Sequence, residues 1–202
     1  MRLSQFAIAT LLTFVVSFGC SKGGGDRSDS RAATVFLQAC QGGQMLGCAK
    51  LGTMYREGKG GLSVDHAQAV ALYRQSCEGG QMLGCFNLGV MYDGGEGVAE
   101  DDVQALALYR QSCEGDLMRG CFNLGNWYLE GKGGLTVDHA QAGAFYRQAC
   151  EGEMMSACFN LGVLYTDGKG VEKDDAQAEA LYRQACKGGV EAACEAASQL
   201  DQ

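Results

Sequence analysis

The same apolar stripe returns four times between residues 48 and 165. Cys48, Leu51, Gly52 and Tyr55 stand at i, i+3, i+4 and i+7, which is one face of an α-helix. The set recurs as Cys85, Leu88, Gly89 and Tyr92, as Cys121, Leu124, Gly125 and Tyr128, and as Cys158, Leu161, Gly162 and Tyr165. A glycine inside a helix costs about 1 kcal/mol against alanine. Its return at 52, 89, 125 and 162 therefore predicts close backbone packing between helices. The tyrosines 55, 92, 128 and 165 are expected in the core.

A second helix follows each first one. It opens with Asp65 and Gln68, Asp101 and Gln104, Asp138 and Gln141, or Asp174 and Gln177, close to a capping box. Ala, Leu, Tyr and Arg then carry it to the next cysteine, and Gly42, Gly79, Gly115, Gly152 and Gly188 are placed as left-handed stop residues. Ser30 to Cys40 aligns with a second helix alone, and Gly189 to Gln202 with a first helix alone. In that last helix Glu195, Ala197, Ser198 and Asp201 replace Phe, Leu, Gly and Tyr, as a terminal cap requires. The expectation is an all-α solenoid of about ten helices spanning residues 31–202, with four full repeats and half-repeat caps.

The cysteines keep the same period. Ten of the eleven fall at 40/48, 77/85, 113/121, 150/158 and 186/194, with pairs starting 37, 36, 37 and 36 residues apart. Gly58 to Leu62 and Gly131 to Leu135 are the same Gly-Lys-Gly-Gly-Leu, so a unit of 73 residues is itself duplicated. Residues eight apart on one continuous helix are separated by about 12 Å, whereas a disulfide tolerates about 7 Å between Cα atoms. Each pair can close only where the chain reverses, and the predicted helix stop lies between its members. Each is read as a disulfide across the turn from one second helix to the next first helix. Metal is the rival, but C-x7-C is not a zinc spacing and no C-x-x-C occurs.

The N-terminus points to export. Ala7 to Phe18 is an apolar run broken only by Thr10, Thr13 and Ser17, too short for a membrane span and suited to a signal peptide over residues 1–19. Ser17-Phe18-Gly19-Cys20 resembles a bacterial lipobox, with Ser17 where leucine is usual, and makes Cys20 the candidate acylated residue. Residues 20–30 read as a flexible Gly/Ser-rich tether. Localisation is then periplasmic or at the outer membrane, with membrane contact only through the lipid. The formal charge is −8, and removing Arg2 with residues 1–19 leaves −9, which shows no basic footprint for nucleic acid.

Leu-Gly-x-x-Tyr, then Gly-x-Gly-Val as at Gly95 to Val98 and Gly168 to Val171, then Ala-x-x-Leu-Tyr-x-x-x-Cys, resembles the Sel-one-like repeat, a relative of the tetratricopeptide repeat. The C-x7-C pair in every unit is similar to the cysteine-rich Sel-one-like proteins secreted by Helicobacter. The resemblance implies a right-handed superhelix whose concave face is lined by first helices and binds a protein or peptide. It implies asparagines facing that groove, here Asn87, Asn123 and Asn160, with Lys50 at the position in the first repeat. Thr53, Val90, Asn126 and Val163 lie one turn on and vary as contact positions do. The competing reading has the asparagines bonding along the solenoid.

Trp127 has only apolar equivalents, Met54, Met91 and Leu164, and reads as packing. Some cysteine-rich members bind or slowly hydrolyse β-lactams, which is the alternative function. No S-x-x-K, K-T-G, G-x-S-x-G or H-E-x-x-H accompanies it, so no catalytic residue, metal or cofactor is assigned. His66 and His139, which follow capping aspartates in repeats one and three, read as first-turn surface residues, with a shared metal site as the rival.

Overall fold

The computed structural model describes residues 27–200. Ten α-helices follow one another: α1 (Arg27–Gln41), α2 (Met45–Glu57), α3 (His66–Glu78), α4 (Met82–Gly94), α5 (Asp102–Glu114), α6 (Met118–Glu130), α7 (His139–Glu151), α8 (Met155–Asp167), α9 (Asp175–Lys187) and α10 (Glu191–Leu200). No strand occurs among the described residues. Each helix packs against its neighbours in sequence, and α2 also meets α4, so the helix pairs stack as an all-α solenoid. No helix among the described residues is long and apolar enough to cross a membrane. Cys20 and the apolar run lie outside the described residues. Helix α1 starts at Arg27, inside the stretch read as tether.

The predicted starts hold. Asp65, Asp101, Asp138 and Asp174 each accept a hydrogen bond from the backbone N–H of the glutamine three residues on, at 2.9–3.0 Å. Helices α2, α4, α6 and α8 end on left-handed Gly58, Gly95, Gly131 and Gly168. The stops of α3, α5, α7 and α9 differ from expectation. Gly79, Gly115, Gly152 and Gly188 have φ between −79° and −91°, and the left-handed residue comes one position later. What those glycines provide is space, since a Cβ there would run into Met45, Met82, Met118 or Met155 of the preceding first helix.

The left-handed place itself is filled by Gly43, Gly80 and Gly189 but also by Asp116 (φ 61°) and Glu153 (φ 63°). Left-handed backbone costs an L-residue about 1–2 kcal/mol. Asp116→Gly and Glu153→Gly are each expected to stabilise the protein by about 0.5–1 kcal/mol after the extra chain entropy of glycine, a rise of about 1–4 °C in Tm. A thermal melt that falls for both variants would contradict this.

The tyrosine expectation is corrected. Tyr55, Tyr92, Tyr128 and Tyr165 are only half-buried. The core tyrosines are Tyr73, Tyr109, Tyr146 and Tyr182 of the second helices, between 0 and 4% exposed. Their rings lie on the recurring mid-helix glycines. A Cβ on Gly52, Gly89, Gly125 or Gly162 would meet the ring at 2.8, 3.0, 2.5 or 2.6 Å. The glycines therefore admit an aromatic ring rather than a neighbouring backbone. Trp127 is 3% exposed and meets Tyr109 edge-on at 5.5 Å, as packing predicts.

The five disulfides form as read, Cys40–Cys48, Cys77–Cys85, Cys113–Cys121, Cys150–Cys158 and Cys186–Cys194, with Cα atoms 4.5–4.8 Å apart. Each spans the reversal between a second helix and the next first helix.

Candidate functional site

The candidate asparagines sit at equivalent places on α4, α6 and α8. Asn87 is 8% exposed, and Asn123 and Asn160 are half-buried. Asn123 stands by the hydroxyl of Tyr109 and Asn160 by that of Tyr146, and each opposes the rise of that hydroxyl's pKa. Both asparagines thus face the tyrosine of the preceding second helix. The hydroxyls give their protons elsewhere, Tyr109 to Asp93 at 3.0 Å and Tyr146 to Asn126 at 2.7 Å. The amides of Asn123 and Asn160 keep hydrogen-bonding capacity for a ligand backbone.

The hydroxyls stay protonated. Burial, joined by the charge of Asp93, holds the Tyr109 hydroxyl far above the usual phenol range. Burial pushes Tyr146 up to about 12 and raises Tyr73. All three remain donors at physiological pH.

The variation at 53, 90, 126 and 163 acquires a physical reason. Thr53 and Asn126 accept from Tyr73 (3.1 Å) and Tyr146. Val90 and Val163 cannot accept. In their repeats the partner moves about one turn along, to Asp93 for Tyr109 and to Thr166 for Tyr182 at 3.0 Å. The corresponding residues of the other two repeats are Arg56 and Leu129. A buried hydroxyl without a partner costs about 1–3 kcal/mol, which explains why each repeat keeps one acceptor or the other. Reading residues 53 and 56, 90 and 93, 126 and 129, 163 and 166 as pairs would have found this in the sequence. Asn126 is therefore committed to Tyr146 through its oxygen.

Half-buried phenylalanines accompany the asparagines. Phe86, Phe122 and Phe159 lie 5.8, 5.9 and 5.6 Å from the rings of Tyr109, Tyr146 and Tyr182. In the first repeat Ala49 stands there, and Lys50 lies over Phe36 at 5.3 Å. The first-helix face thus offers an aromatic ring next to an asparagine amide in three successive repeats.

His66 and His139 open α3 and α7 and are half-buried beneath the loop of the next repeat. A Cβ on Gly97 would strike the backbone of His66, and one on Gly170 that of His139, which accounts for the second glycine of each Gly-x-Gly. His66 Nδ1 and Arg56 Nε each lie 3.4 Å from Glu96 Oε2. Farther along this loop edge Lys132 pairs with Asp93 and lies 5.0 Å over the Trp127 ring. Its hydrogen bond to Asp93 raises the lysine above its ordinary value. Among the described residues no three His, Cys, Asp or Glu side chains come together as a metal site.

The opposite, second-helix side carries clefts that sequence reasoning missed. One of about 460 Å³ is bounded by Arg147, Leu161, Tyr165, Leu181 and Gln184, and its equivalent one repeat earlier, about 290 Å³, by Arg110, Leu124, Tyr128, Phe145 and Gln148. In each the arginine donates to the tyrosine hydroxyl, at 2.8 Å for Arg147 and 3.5 Å for Arg110. Arg74 and Tyr92 repeat the bond at 3.0 Å. The signal was an arginine followed 18 residues later by a tyrosine in three repeats.

The Sel1 repeat family model matches residues 46–81, 83–117, 119–153 and 156–190. No curated protein matches the chain. Among solved structures it is similar to a protective antigen of uropathogenic Escherichia coli that displays an SLR fold, at 32% identity and a TM-score of 0.78, over 85% of this chain and 36% of that one. A Sel1 repeat protein from Oxalobacter formigenes is 26% identical with a TM-score of 0.79, over 86% and 70%. Cysteine rich protein B of Helicobacter pylori is 30% identical with a TM-score of 0.53, over 65% and 94%. This chain spans about a third of the length of the uropathogenic antigen.

Proposed function

The chain belongs to the Sel1 repeat family, and on that premise we propose that it is an exported scaffold binding an extended segment of a partner protein along its first helices. Sel1 repeat solenoids commonly serve as protein-interaction scaffolds. The observation that carries the reading is the row of amides beside half-buried phenylalanines, repeated in α4, α6 and α8. An extended peptide repeats its own N–H and C=O groups, and a periodic row of amides matches that chemistry. Five disulfides support an oxidising compartment, consistent with the signal peptide and with Cys20 as the lipid anchor. The net charge favours a neutral or basic partner segment over an acidic one.

The test begins with capture of envelope proteins by the mature chain and a measured Kd for the partner recovered. The triple variant Asn87→Ala, Asn123→Ala, Asn160→Ala is expected to weaken that Kd ten-fold or more, from three bonds worth about 0.5–1.5 kcal/mol each. Because Asn123 and Asn160 also stand by buried tyrosine hydroxyls, Tm is measured alongside. A folded triple variant that binds with unchanged Kd would assign the asparagines to structure alone.

A further inference from the structure

Four of the five disulfides are buried, with Cys150 and Cys113 bordering the two clefts. Cys48, Cys85, Cys121 and Cys158 expose no surface, and Cys40, Cys77, Cys113 and Cys150 are 6, 8, 3 and 5% exposed. The following repeat covers them: Gln75 lies against Cys40, Gln111 against Cys77 and Gln148 against Cys113, with side-chain oxygens 3.6–3.8 Å from sulfur. The Cys186–Cys194 bond is different. Cys194 is exposed and Cys186 half-buried.

The cause lies in α10. The earlier first helices bury five or six residues each, whereas α10 buries only Ala193 and Ala197. Glu195 and Ser198 occupy places that Phe and Gly hold elsewhere, and both are exposed. This helix is held by buried Ala193 and Ala197, by half-buried Ala196 and Leu200, and by one open disulfide.

We propose that Cys186–Cys194 is a thiol-exchange site, taking an incoming thiolate at the Cys194 sulfur. Exchange needs a thiolate to reach one sulfur of the bond, and Cys194 is the sulfur on offer. The incoming sulfur bonds to Cys194 Sγ as the Cys186–Cys194 bond breaks. The electron pair leaves on Cys186 Sγ, which takes a proton from water. The incoming thiolate is oxidised to one half of a mixed disulfide, and Cys186 is reduced to a thiol. A second thiol then releases Cys194. The step removes the covalent tie between α9 and α10. It stands independently of the binding face proposed above.

The test uses the native protein with all disulfides formed. It is incubated with reduced glutathione, quenched with iodoacetamide and mapped by peptide mass. The expected early product carries glutathione on Cys194 and carbamidomethyl on Cys186, formed at least ten-fold faster than any adduct at the other four pairs. A different pair reacting first, all five reacting at one rate, or glutathione settling on Cys186 instead would each overturn the proposal. A parallel arm offers a thioredoxin-type protein whose resolving cysteine is serine. A covalent complex through Cys194 extends the site to protein thiols, while the glutathione adduct without that complex confines it to small ones. With Cys186→Ser and Cys194→Ser together, the fast phase should vanish and the slow four remain. Persistence of a fast phase in that variant would also overturn it.

Discussion

Full reduction of the disulfides is expected to unfold the solenoid at room temperature. Each closes a nine-residue loop, which chain-entropy arithmetic values at about 2.6 kcal/mol. Five acting additively would contribute about 13 kcal/mol, comparable with the whole 5–15 kcal/mol stability of an ordinary domain. The rest of the architecture has little to replace them. Much of the core is alanine, and every turn between helices contains glycine. Circular dichroism with and without a phosphine reductant measures the effect. Removing one buried pair, Cys113→Ala with Cys121→Ala, should lower Tm by about 5–10 °C. A reduced protein that melts within a few degrees of the oxidised one would show that helix packing alone sustains the fold.

Gly120→Ala should destabilise strongly while Gly143→Ala stabilises. Both glycines are buried within helices, where alanine is ordinarily better by about 1 kcal/mol. At Gly120 the added Cβ would lie 2.7 Å from the Tyr109 carbonyl oxygen and 2.8 Å from the Cys113 amide nitrogen. Those atoms belong to the end of α5, which the Cys113–Cys121 disulfide ties to α6, so neither can give way. Overpacking of this kind costs about 1–3 kcal/mol or more, and the expected fall in Tm is at least about 4 °C. At Gly143 the nearest atoms are side-chain methyls of Leu164 at 3.4 Å and Val171 at 3.7 Å, which is ordinary contact. A gain of about 0.5–1 kcal/mol should raise Tm by about 1–4 °C. Parallel melts of the two variants decide the matter, and a neutral Gly120→Ala would mean that the α5–α6 junction is looser than the structure shows.

Much of this protein was fixed by chemistry acting over a few residues. A capping aspartate meets an amide three positions away, and a disulfide partner is eight positions away. Such links are decided before any helix finds its neighbour, so the helix pairs, their starts, the disulfide pairing and the repeat period were legible in the residues alone. The remaining features depend on which face the adjacent helix covers. Tyr55 and Tyr73 both stand on helical stripes with apolar residues, yet only Tyr73 lies over Gly52, because its helix packs there. The left-handed stop stands one residue later than expected, and a methionine of the first helix packed beside it explains why the residue before it is glycine at 79, 115, 152 and 188. Asn126 spends its oxygen on Tyr146, and Val90 is tolerated because Asp93 serves Tyr109 in its place. Cys194 is open because α10 buries little, although its spacing from Cys186 is the same eight residues as in every buried pair. Identical local spacing yields different exposure and different hydrogen-bond partners once a neighbouring helix, 16 to 35 residues away in the chain, supplies or withholds the atoms that complete it.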